Sequence, residues 1–179
     1  MLWRTIAQAD LARIPGETMI REFSLWLAAT PLSQLIQNTF WVIPTVQIVH
    51  IVSIAIVMTA MAMLDLRLIG IAGRRQTLNQ MGDRFLPWVW VTLIVLLCSG
   101  SILIIAEPGR DLQNVVFWTK MSLLATALIL TATFQRVLHR NKGYWERHRA
   151  VAVLLGSVSL VVWVGIVAAG RWIAYVEHG

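Results

Sequence analysis

The stretch Gln47–Gly70, QIVHIVSIAIVMTAMAMLDLRLIG, decides the fold. It is apolar for more than four helical turns, yet it opens on a glutamine and a histidine three residues apart and closes on Asp65 and Arg67. About 20 apolar residues in helical form cross the roughly 30 Å of a bilayer's hydrocarbon, so this is a membrane-spanning helix rather than a soluble core element. The rest of the chain agrees. Of 179 residues, 58% are hydrophobic and 13% charged, against roughly 25% charged in soluble domains.

Four segments are long and apolar enough to span: Phe40–Leu64, Phe85–Ala106, Val115–Leu138 and Ala150–Tyr175. The fold class expected is therefore all-α, an integral membrane four-helix up-down bundle. Residues 1–39 form an N-terminal periplasmic or interfacial segment and residues 40–179 the bundle. Pro44 and Pro87 are each expected in the first turn of a span, where a missing N–H does least harm. Pro108-Gly109 marks the turn after the second span. Phe23–Gln37 reads as an amphipathic helix on the membrane surface, with a kink at Pro31; a short re-entrant segment is the alternative.

The net charge of +6 does not point to nucleic acid, because the basic residues lie in loops between apolar runs. Arg67, Arg74, Arg75 and Arg84 occupy the first loop, and Arg136, Arg140, Lys142, Arg147 and Arg149 the third; the second has only Arg110. Positive loops stay in the cytoplasm. The expected location is the bacterial inner membrane, multi-pass, with both termini periplasmic. Arg4, Arg13 and Arg21 oppose this mildly and are outnumbered. The N-terminus lacks the features of a cleaved signal peptide. Most of the nine tryptophans suit an aromatic belt: Trp3, Trp26, Trp41, Trp118 and Trp172 at the outer interface, Trp88, Trp90 and Trp145 at the inner. Trp163 lies well inside the fourth span.

Polar groups in the spans carry the functional question. On a helical wheel Gln47, His50, Ile54, Met58, Met61 and Asp65 share one face of the first span. Such a stripe faces the bundle interior, because lipid cannot satisfy it. Asp65, beside Arg67, reads as an interfacial ion pair. His50 lies roughly 12 Å deep at 1.5 Å per residue. Lys120, Arg171 and Glu107 fall in the same outer leaflet on the other helices, so a shared site is expected for His50, Gln47, Lys120, Trp163 and Arg171. The plainer alternative has Lys120 and Arg171 extended to headgroups, Glu107 pairing with one of them, and His50 bonded to a serine or carbonyl across the bundle. Gly156, Ser159, Trp163, Val167 and Gly170 form a stripe of mostly small residues on the fourth span, and Ser122 with Thr126 a weakly polar face on the third.

Histidine in a membrane bundle suggests haem b, with His50 as the iron ligand and Lys120 and Arg171 clamping its anionic groups. His139, His148 and His178 lie in loops or the tail, so a second ligand has to be a methionine, an open position or His50 of a second copy; a homo-oligomer is left open. A quinone head group bonded to His50 and Gln47 is the other ligand. Copper held by His50 with Met58, Met61 and Met63 is a third, against which methionines on apolar helices are usually packing. The lone Cys98 forms no internal disulfide, and no CxxC, phosphate loop or GxSxG elbow occurs. No nucleophile–base pair is visible, so independent enzyme activity is not expected.

The segments PTVQIVHIVSIAIVMTAMAMLDLRLIG, FWTKMSLL and SLVVWVGIVAAGRWIAY together resemble a family of uncharacterised bacterial four-helix inner-membrane proteins. The resemblance covers most of residues 40–176 and includes His50, Asp65, Arg67, Lys120, Trp163 and Arg171. In architecture alone the chain is similar to the copper-resistance D proteins and to four-helix b-type cytochromes. It departs from dihaem cytochromes, which carry paired histidines on their spans. The function expected is an inner-membrane subunit or anchor with an outer-leaflet haem b or quinone site for electron transfer. The alternative is a non-redox structural subunit that docks a periplasmic partner through its N-terminal segment. The bilayer itself is a partner in both; a periplasmic or membrane protein partner is implied, nucleic acid is not.

Overall fold

The computed structural model describes residues 15–73, 75–141 and 143–176. Expectations for Trp3, Arg4, Arg13, Arg74, Lys142, His178 and Gly179 fall outside these residues. The described chain is helical without strands. Its helices are α1 Pro15–Ala28, α2 Pro31–Asn38, α3 Val42–Ile69, α4 Leu78–Ala106, α5 Pro108–Leu112, α6 Val115–Arg140, α7 Tyr144–Arg147 and α8 Arg149–Val176. Four of them, α3, α4, α6 and α8, are long and apolar enough to cross a membrane. Successive spans are joined by short connections and run up and down, which gives the expected bundle.

Local chemistry sets the helix ends. Thr77 caps α4: its hydroxyl accepts from Gln80 N at 3.2 Å, and the Gln80 side chain accepts from Thr77 N at 3.0 Å. This capping box starts the helix at Leu78, before the apolar run, so Pro87 lies in the helix interior and not in its first turn. Pro44, by contrast, does fall in the first turn of α3. Gly70 ends α3 with φ +89°, the left-handed conformation that glycine takes freely. Arg149, the first residue of α8, donates to Leu68 O at 3.0 Å and also to Ile69 O. It thereby satisfies two carbonyls that the end of α3 leaves open.

The interior is formed by one seam from each span. On α3 it runs His50, Ser53, Val57, Met61, Leu64 and Leu68, with Ala60 and Asp65 alongside. On α6 it runs Ala127, Thr131, Phe134 and Leu138, and Lys120 extends it at the 4,3 spacing. Ala152, Ser159, Trp163 and Ile166 supply α8. The opposite faces carry exposed Ile48, Ile51, Val91, Ile94, Leu97, Leu154 and Val161, the surface lipid solvates. Since lipid is as apolar as these side chains, helix association rests on close packing and hydrogen bonds. Small residues mark the close approaches. A Cβ on Gly156 would lie 3.1 Å from Asp65 O on α3, and one on Gly82 would overlap the Leu138 side chain of α6. α3 packs extensively on α4 and α8, and α6 on α8, whereas α4 and α6 meet sparsely.

One end of the bundle, here the basic end, carries Arg67, Arg75, Arg84, Arg136, Arg140, Arg147 and Arg149. Trp145 there is buried in the core with its ring 5.7 Å from Phe134, rather than in an aromatic belt. Trp90 is half-buried and donates to Gln135 Oε1 at 2.7 Å. Trp26, Trp41, Trp88, Trp118 and Trp172 are exposed, as belt residues are. The other end is capped by α1 and α2. These replace the single helix expected over 23–37. Thr30 ends one helix and caps the next, donating to Leu27 O at 2.6 Å and accepting from Ser33 N at 3.3 Å, with Pro31 at the first position of α2. The cap is bonded to the bundle. Ser33 Oγ donates to Ile105 O and Gln37 Nε2 to Ala106 O, both at 2.7 Å, so α2 closes the last turn of α4. Gln113 Nε2 donates to Ser24 Oγ at 3.0 Å and ties in α1. Phe23, Trp26, Leu32 and Leu35 remain exposed, as suits helices lying at a membrane interface.

Candidate functional site

His50 sits on the interior seam of α3, two turns from the capped end, and is half-buried. Its partner is Ser99 on α4: Nδ1 and Oγ are 2.8 Å apart. Ser99 Oγ also lies 2.7 Å from Val95 O, which can only accept. The single hydroxyl proton goes to that carbonyl, so the imidazole Nδ1–H donates to Ser99. In the neutral ring this leaves Nε2 with its lone pair, and no described residue hydrogen-bonds it. The ring lies against the α4 backbone, since a Cβ on Gly100 would be 3.5 Å from His50 Cε1.

Lys120 reaches the same layer from α6. Its Cε and Nζ stand 3.9 and 4.0 Å from where a Cβ on Gly170 of α8 would be. A glycine at that place gives the lysine room to lie along α8. Nζ has no hydrogen bond among the described residues. The layer therefore combines an oriented imidazole nitrogen that can accept, or bind a metal, with an ammonium that can donate. Neither of these two nitrogens is hydrogen-bonded among the described residues.

Other expected site residues lie elsewhere. Gln47 is exposed, because α3's seam is centred on Ser53 and Val57 and not on the Gln47 side; likewise Ile54 and Met58 are only partly buried. Gln47 instead lines a narrow cleft of about 90 Å³ with Ile43, Leu103 and Asp111. Arg171 is exposed. Trp163 is buried, but on a deeper layer seven residues below Gly170; its Nε1 has no hydrogen-bond partner among the described residues. The stripe on α8 passes through buried Ile166, while Val167 is 40% exposed. Ser122 and Thr126 are exposed and bonded to their own helix. Glu107 pairs with Arg110 at 2.6 Å, not with Lys120 or Arg171. Met61 is roughly 16 Å from His50 along the helix at 1.5 Å per residue, so copper ligation by both is not assembled. Among the described residues no cluster of three His, Cys, Asp or Glu side chains occurs.

A second polar contact lies in the half towards the basic end. Asp65 and Ser159 are each 4% exposed, and Ser159 Oγ donates to Asp65 Oδ2 at 2.9 Å. The expected ion pair with Arg67 does not form: Arg67 Nε donates to Gln76 O at 3.0 Å. The cause is helical phase, since Asp65 falls on the seam facing α8 while Arg67 faces the loop. The plainer expectation for His50, a bond to a serine across the bundle, is met by Ser99, which the sequence reading does not single out; Ser159 enters that reading only as part of the small-residue stripe. Depth would have found Ser99: it is seven residues from the Ala106 end of α4, and His50 eight from the Val42 end of α3.

No curated protein and no solved structure matches the chain. A family model matches residues 24–176, which include every group of the two polar contacts just described. The chain belongs to the DUF6644 family, a family of unknown function.

Proposed function

We propose that the protein is an inner-membrane electron-transfer subunit, or anchor, that holds one redox cofactor at the His50–Lys120 layer. The observation that carries this is the Nε2 of an interior histidine, oriented by Ser99 and without a hydrogen-bond partner among the described residues. Isolated ionisable groups inside membranes are costly, at roughly 2.5–3.5 kcal/mol each on insertion scales, and are kept where they serve a ligand. Of haem b and quinone, a quinone is favoured. Its carbonyl accepts from Lys120 Nζ and its reduced hydroxyl donates to His50 Nε2, and such a head group asks for no more than these partners. The quinone supplies two-electron chemistry when bound; the chain orients it. Haem b draws support from the Nδ1–H···Ser99 bond, since ligating histidines donate their other ring nitrogen to a fixed acceptor. Among the described residues, however, the other histidines, His139 and His148, stand at the basic end and offer no second ligand there.

By the positive-inside rule the basic end faces the cytoplasm and the capped end, with the site, the periplasm. The alternative function, a structural subunit docking a periplasmic partner, draws on the apolar face of α1 and α2; the same face suits the bilayer interface. Binding of a short-chain quinol to protein in lipid nanodiscs, under reducing conditions, tests the proposal. Lys120→Met removes a charge-assisted bond of about 1.5–3 kcal/mol and His50→Leu a neutral one of about 0.5–1.5 kcal/mol, so the first is expected to weaken binding by about tenfold or more and the second by about twofold to tenfold. Equal binding by all three proteins contradicts it.

A further inference from the structure

We propose that the polar cleft at the capped end is a water inlet through which the His50–Lys120 layer exchanges protons with the surface. A wide opening of about 430 Å³ lies beside Ala28, Gln37, Pro108 and Gly109. The narrow cleft shares Ile43, Ala106, Glu107 and Arg110 with it, so the two adjoin. The narrow part reaches Gln47 and Asp111. Gln47 is one helical turn from His50 on α3, and Leu103 is one turn from Ser99 on α4. The inner end of the cleft thus lies about one helical turn from the His50–Ser99 contact along both walls.

Its lining identifies the occupant. Buried water needs two to four polar partners and a space larger than one probe sphere. Gln47, Glu107, Arg110 and Asp111 provide the partners, and acyl chains satisfy none of them. A ligand that gains or loses protons with its electrons needs such a route, because hydrocarbon does not conduct them. The purpose of the inlet rests on the proposed His50–Lys120 site; the presence of water in the cleft does not.

Thiol reactivity in lipid nanodiscs tests the inlet. In a Cys98→Ala background, Gln47→Cys places a thiol in the cleft, and Ile48→Cys places one at nearly the same depth where the native side chain is 62% exposed on the lipid face. A small cationic methanethiosulfonate reacts with the thiolate, which forms in water and not in hydrocarbon. The Gln47→Cys protein is expected to be modified faster than the Ile48→Cys protein by about tenfold or more. Leu103→Cys, on the facing wall of the cleft, is expected to match Gln47→Cys and guards against one variant folding poorly. Equal rates in all three proteins overturn the inlet. Fast modification in protein that binds no quinone or haem leaves the inlet standing while the cofactor proposal fails, so the two are separable.

Discussion

Replacing Ser159 with alanine removes the one hydrogen bond that the described residues make to the Asp65 carboxyl. Two magnitudes compete. A buried acceptor stripped of its partner costs about 1–3 kcal/mol. Hydrogen bonds between membrane helices average only about 0.6 kcal/mol, because separated helices find other partners. The packing around Asp65 decides between them. Asp65 is 4% exposed, and α8 approaches so closely at Gly156 that an added Cβ would sit 3.1 Å from Asp65 O. There is little room for the carboxyl to turn elsewhere or for water to enter. We therefore expect Ser159→Ala to cost about 1–2 kcal/mol, a roughly fivefold to thirtyfold shift in the folded-to-unfolded ratio. Reversible unfolding in mixed micelles, followed by circular dichroism, measures it. A double-mutant cycle with Asp65→Ala isolates the pair: once the carboxyl is gone, Ser159→Ala should add little. A cost below about 0.3 kcal/mol for Ser159→Ala alone, or strictly additive costs in the double variant, would refute the reasoning, since contacting pairs couple by at least about 0.5 kcal/mol.

Two further outcomes follow from the geometry. Gln37→Leu deletes the donor to Ala106 O and to Ser33 Oγ; the cap should loosen, with faster amide exchange in α2 and at the end of α4 and unchanged protection at Val57–Leu64. Ser99→Ala frees the His50 ring to rotate; by analogy with outer-shell partners of metal-bound histidines, binding at the site should weaken by about tenfold to a hundredfold, with little change in helical content.

Much of this architecture could be read from the sequence, because a membrane imposes so few solutions. Apolar runs at Gln47–Gly70 and its three counterparts fix four spans, and the arginine-rich loops fix which ends lie together. The depth of His50 and Lys120 was readable for the same reason, since rise per residue is constant. Helical phase was not. A wheel started at Gln47 places Asp65 correctly but puts Gln47 inside, whereas the seam is centred on Ser53 and Val57. Over 28 residues a small error of phase moves a side chain from interior to lipid. Polar ends also hid structure: Thr77 and Gln80 start α4 well before its hydrophobic run, which changes Pro87 from an entry residue to an interior one. Trp145 looked like a belt residue because its burial depends on α7 folding under Phe134, a tertiary contact that no local pattern records.

The most direct test of the central claim is the cofactor content of the protein purified from its native membranes in mild detergent, wild type beside His50→Leu. Solvent extraction and an absorption spectrum of each preparation give quinone and haem per protein. We predict close to one cofactor per wild-type chain, quinone by the favoured assignment, and loss of most of it in His50→Leu at unchanged helical content. Wild-type protein carrying neither quinone nor a Soret band, or a His50→Leu protein that retains the full amount, would contradict the account.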